Sequence, residues 1–118
     1  MEKKSGITRL YYATLYSWQG LKQAIKHEAA FRQECVLALI LVPLSFYLDV
    51  SAYERLAMIL SLAFLMVTEL INSAIECVVD RIGPEYHELS GRAKDYGSIF
   101  VFIALLMLIA TWLVILLH

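Results

Sequence analysis

Charge is scarce in this chain: Asp, Glu, Lys and Arg make up 18% of its 118 residues, against roughly a quarter in an ordinary soluble domain. Cysteine is scarcer still. Cys35 and Cys77 each stand alone in an apolar run, which excludes a disulfide framework or a C-x-x-C pair and leaves two small apolar fillers. No G-x-x-x-x-G-K-[ST] loop and no protein-kinase loop set is present, so the familiar soluble nucleotide folds are excluded. The first residues are basic but lack a continuous apolar stretch with a small-residue cleavage site, so insertion is expected to use the mature helices. The net charge of −1 decides little, because the charges are segregated along the chain, and no nucleic-acid partner is expected.

What fills the space is apolar: 60% of the residues, more than a soluble core of this length could bury. The expected class is an all-α membrane protein with an amphipathic surface helix and three spans. Residues 1–28 form the surface helix. Ile7, Leu10, Trp18, Leu21 and Ile25 make an apolar stripe, with Arg9, Gln19, Lys22, Gln23 and Lys26 mostly elsewhere on the wheel. Tyr11, Tyr12, Tyr16 and Trp18 are aromatics of the interfacial kind. The spans are expected at 29–48, 55–79 and 96–117, the first kinked at Pro43. A polar linker occupies 80–95, stopped by Gly83-Pro84 and broken again at Gly91. Lys3, Lys4, Arg9, Lys22, Lys26 and Arg32 load the N-terminal segment, and Arg81, Arg92 and Lys94 load the linker, whereas the loop after the first span has only Arg55 at its edge. The positive-inside rule then puts the N-terminus and linker in the cytoplasm and the C-terminus outside.

The chemistry concentrates in residues 69–80, E-L-I-N-S-A-I-E-C-V-V-D, which follow an uncharged run. At helical spacing Glu69, Asn72, Ser73, Glu76 and Asp80 fall on one stripe. A carboxylate at membrane depth costs a few kcal/mol and by default marks function. Glu69 is the deepest and has no Lys or Arg within a turn, which suits a general base for an alcohol. Glu28, Glu34, Glu76, Asp80 and Asp95 are expected at the same interface, where oxygen ligands suit a hard cation such as Mg²⁺. For Glu28, Glu34 and Asp80 taken singly, interfacial solvation or pairing with Arg32 and Arg81 is the favoured reading over function. From the residues alone, a nucleotide site, a proton or cation path, and polar contacts between helices all remain open. Three thin helices enclose such a stripe poorly, so self-association is expected on any of them.

Three blocks narrow the choice: E-A-A-F-R-Q-E at 28–34, E-L-I-N-S-A-I-E-x-V-V-D-R at 69–81, and E-Y-H-E-L-S-G-R-A-K-D-x-G-S at 85–98. With Y-S-W-x-G-L at 16–21 and the region of Arg9, they closely resemble the prokaryotic diacylglycerol kinase family over essentially the whole chain. The resemblance implies a homotrimer in the bacterial inner membrane that transfers the γ-phosphate of ATP to the primary hydroxyl of diacylglycerol, giving phosphatidic acid. It implies Glu69 as base, supported by Asn72, and Glu28 and Glu76 as ligands of Mg²⁺ on the ATP phosphates. It implies that Arg9, Tyr16, Glu85, Tyr86, His87, Lys94 and Asp95 line the nucleotide. Arg9, Trp18, Phe31, Arg32, Glu34, Ser98 and Trp112 would lie along the lipid substrate. Undecaprenol, the substrate of related kinases, is the alternative alcohol; a small ion conduit is the alternative of another class.

Overall fold

The computed structural model describes residues 5–118; Lys3 and Lys4, two of the charges used for orientation, lie outside the described residues. The described chain forms four α-helices: α1 (Gly6–His27), α2 (Ala29–Tyr47), α3 (Ala52–Ile82) and α4 (Glu88–Leu117). Of these, α2, α3 and α4 are long and apolar enough to cross a bilayer, so this is an all-helical, multi-pass membrane protein. At 1.5 Å per residue, the 31 residues of α3 run about 46 Å, well beyond a hydrocarbon core of about 30 Å. Its last turns, which carry Glu76 and Asp80, therefore stand in the interface.

The core is one seam between α3 and α4. Met58, Leu62 and Leu65 of α3 close on Ala104, Leu108 and Trp112 of α4, with Leu37, Ala38 and Leu41 of α2 packed against them. Trp112 also donates from Nε1 to the Met58 carbonyl oxygen at 3.2 Å, giving its one polar atom a partner in an apolar seam. Two buried hydroxyls of the seam are satisfied within their own helix: Ser61 donates to Met58 O and Thr68 to Leu65 O, both at 2.8 Å. Oil cannot supply those bonds.

The loop away from the acidic end is fastened by local chemistry. Ser51 and Glu54 form a capping box, with Ser51 N–H donating to Glu54 Oε1 at 2.8 Å and Glu54 N–H to Ser51 Oγ at 3.1 Å. Arg55 reaches back to the end of α2, donating from Nε to Ser45 O at 2.9 Å and lying 5.1 Å from the centroid of the Phe46 ring. The α2 helix continues through Pro43.

One region differs from the sequence expectation. α3 runs on to Ile82, and α4 starts at Glu88 and passes unbroken through Gly91, so the polar linker shrinks to residues 83–87. The sequence E-L-S-G-R-A-K-D holds enough good helix formers to outweigh one glycine, which costs about 1 kcal/mol. His87 caps the start, its Nδ1 accepting from Leu89 N–H at 3.1 Å. The break expected between residues 28 and 29 falls at Glu28 itself, which belongs to neither flanking helix. It ends α1 and begins α2 with φ −110 and ψ 104.

Candidate active site

The site grows from that elbow. Because Glu28 is extended, its carboxylate leaves both helix axes, and neither helix uses it as a side-chain cap. It reaches α3 instead, where Ser73 Oγ donates to Glu28 Oε1 at 2.7 Å. Arg32 holds the other side of the elbow, donating from one guanidinium nitrogen to Ile25 O at 2.9 Å and Lys26 O at 3.1 Å. Those carbonyls end α1, so the guanidinium offsets the negative end of its dipole. Phe31 is buried beneath the elbow at 2% exposure.

Along α3 the stripe grades from oil to water. Glu69 is 8% exposed and Ser73 7%; Asn72 and Glu76 are half-buried and Asp80 is exposed. The partner facing Glu69 is another acid: the Glu34 carboxyl lies within hydrogen-bonding reach of it. Glu34 Oε1 is buried with no donor. At the watery end Lys94 Nζ meets Asp80 Oδ1 at 2.9 Å, and its ammonium also lies in the field of Glu76. Half of that lysine's side chain faces solvent, so this contact contributes little to stability and leaves the cation free to meet an incoming anion.

The structure thus brings Glu28, Glu34, Glu69, Asn72, Glu76, Asp80 and Lys94 to one end of the α2–α3–α4 bundle. Other expected residues stand apart. Arg9, Tyr16 and Trp18 are exposed on α1, with Tyr12 stacked between Tyr11 at 5.3 Å and Tyr16 at 6.2 Å. Glu85, Tyr86 and His87 lie in the short linker, Tyr86 almost wholly open. Asp95 and Ser98 are exposed on the first turns of α4. Trp112 is a core residue bonded to Met58, about 16 Å along α3 from Glu69 at the helical rise, and is not gathered with the acidic end. Sequence reasoning put Ser73 on the stripe without a role. Its spacing from Glu76 was readable, but its partner Glu28, 45 residues earlier, was not.

The donor set suits a hard divalent ion. Ser73 engages a single oxygen of Glu28, and Ser73 and Glu76 are one turn apart on the same face. Among the described residues no group of three or more metal-binding side chains occurs.

Three membrane-length helices that gather buried carboxyls and a half-exposed lysine at one end make a candidate integral-membrane enzyme site. The family model for prokaryotic diacylglycerol kinase matches residues 15–116. The Diacylglycerol kinase of Haemophilus influenzae is 56% identical over 112 residues, spanning 95% of each chain. That of Escherichia coli K12 is 53% identical over 112 residues, spanning 95% of this chain and 92% of its own. That of Pseudomonas aeruginosa PAO1 is 46% identical over 114 residues, spanning 97% and 93%. The chain belongs to the prokaryotic diacylglycerol kinase family and is a phosphotransferase.

Proposed function

We propose that this chain is an ATP-dependent diacylglycerol kinase of the bacterial inner membrane, working as a homotrimer with its acidic end in the cytoplasm. The single observation that carries the reading is the buried Glu69, joined by Glu34 rather than by a basic residue. Among the described residues no ion pair to that acid occurs, and a general base for a membrane alcohol is the use that fits.

In this reading the primary hydroxyl of diacylglycerol donates its proton to the Glu69 carboxylate, while the hydroxyl oxygen attacks the γ-phosphorus of ATP and ADP leaves. Asn72, one turn along the same face, orients the reacting centre. Phosphoryl transfer needs mostly positioning and charge neutralisation. Magnesium, held by Glu28 and Glu76 together with phosphate oxygens, would supply much of that neutralisation. Lys94 exchanges Asp80 for phosphate, and Asp95, Glu85, Tyr86, His87, Arg9 and Tyr16 line the nucleotide. Trp18, Arg32, Glu34 and Ser98 lie toward the lipid headgroup; Phe31 acts from beneath by supporting the elbow.

The test is the purified chain in mixed micelles with MgATP and either diacylglycerol or undecaprenol. Phosphatidic acid is the expected product. Undecaprenyl phosphate alone would move the assignment to the alternative alcohol, and ion flux in liposomes without turnover of either would replace the enzyme with a conduit.

A further inference from the structure

Glycine is among the poorest helix formers, yet α4 carries one at position 97, inside a membrane-bound helix and buried. Gly6 opens α1, and the three glycines in helix interiors are not alike. A methyl group added at Gly20 would meet nothing within 4 Å, and at Gly91 only the rim of Tyr86 at 4.0 Å. At Gly97 it would run into Asn72 Oδ1 and lie 3.2 Å from Asn72 Cγ and 3.5 Å from Asn72 Cα. The Cα separation is ordinary contact, so the two helix backbones could stay where they are. The overlap is with the tip of the amide, which turns about its own side-chain bonds between staggered wells.

We propose that Gly97 is a positioning residue for phosphoryl transfer: its missing side chain is the space in which the Asn72 amide lies, and this holds the amide on the face it shares with Glu69 and Glu76. The inference rests on the role of Asn72 proposed above. Adding one methyl at position 97 pushes the amide to another rotamer while leaving the α3–α4 seam of Met58, Leu62, Leu65, Ala104, Leu108 and Trp112 untouched. Fold and chemistry therefore separate. Gly97→Ala leaves a folded, inserted protein with a misdirected amide, and the loss falls on kcat because the substrates bind mainly through other groups.

The experiment compares Gly97→Ala, Asn72→Ala and the double variant in mixed micelles, measuring kcat and both KM values alongside thermal unfolding. Expected is a fall in kcat of at least about tenfold for Gly97→Ala, with each KM within about twofold and an unfolding temperature close to that of the parent. In the double variant, the added methyl should cost nothing beyond Asn72→Ala alone. Parental kcat in Gly97→Ala overturns the inference, as does a double variant whose two losses multiply. Parental activity in Asn72→Ala overturns both this inference and the role of Asn72, whereas an inactive Asn72→Ala beside an active Gly97→Ala overturns this inference alone. If Gly97→Ala fails to fold, the double variant decides. Recovery of folded protein by removing the amide supports the contact; failure to recover overturns it.

Discussion

Glu69 and Glu34 face each other with no basic group between them, and that pairing makes a sharp prediction. Glu69→Gln replaces one of two facing buried carboxyls with an amide that can donate to the other and removes the base. Turnover should fall by at least about a hundredfold, while the unfolding temperature in detergent should be no lower than the parent's. Substantial turnover in this variant would take the role of base away from Glu69. Ser73 carries a second prediction. Its hydroxyl is the one donor on Glu28 Oε1, and a hydrogen bond to a charged group contributes on the order of 1.5–3 kcal/mol. Ser73→Ala should raise the Mg²⁺ concentration for half-maximal rate several-fold and weaken Mn²⁺ binding followed by electron paramagnetic resonance. Ser73→Thr should restore both, since it returns the hydroxyl.

At the scale of elements, α4 holds the lesson about glycine. Gly91 lies in the same helix as Gly97 but beside open space, so the substitution that disables position 97 should help position 91. Gly91→Ala should stabilise α4 by about 0.5–1 kcal/mol, read as a higher thermal midpoint. The same helix shows what could be read from sequence. The uncharged run ending at Leu117 announced a span through its length alone, and the Glu69–Glu76 stripe was legible because helical periodicity is local. The unbroken start of α4 was not legible, because Gly83, Pro84 and Gly91 are equally good stop signals until the His87 cap and neighbouring packing decide between them. The end of the surface helix at residue 28 was legible from the change of apolar pattern, but what stabilises the elbow was not: the long-range bond to Ser73 and the reach of Arg32 across to the end of α1.

The whole molecule is open. Its radius of gyration is 17.4 Å, against about 13.5 Å for a compact chain of this length. It exposes 9025 Å², where a compact soluble protein of its mass would show about 6,500 Å². Much of the excess is apolar: Leu39, Phe46 and Ile40 on α2 and Phe102, Leu106 and Val114 on α4 all face outward. Lipid covers some of that surface, and partner copies are expected to cover the rest. Light scattering in detergent should give a protein mass near 40 kDa, three times the chain's 13.4 kDa; a monomer retaining full activity would contradict the trimeric reading.

One rod runs from the water-side lysine to the far leaflet without a joint, since α4 is continuous from Glu88 to Leu117. The groups proposed to greet the nucleotide, Lys94 and Asp95, ride on the same stiff shaft as Gly97, proposed to seat the Asn72 amide, and Ser98, proposed to lie toward the lipid headgroup. There is no slack by which one pair could shift and the other stay still. The two co-substrates should therefore sense each other: loading one tilts the shaft and changes the grip on the second, by the same factor in either direction. Equilibrium titrations of a non-hydrolysable nucleotide with and without lipid, and of lipid with and without nucleotide, should show this mutual change. Two indifferent affinities would mean that the shaft bends after all.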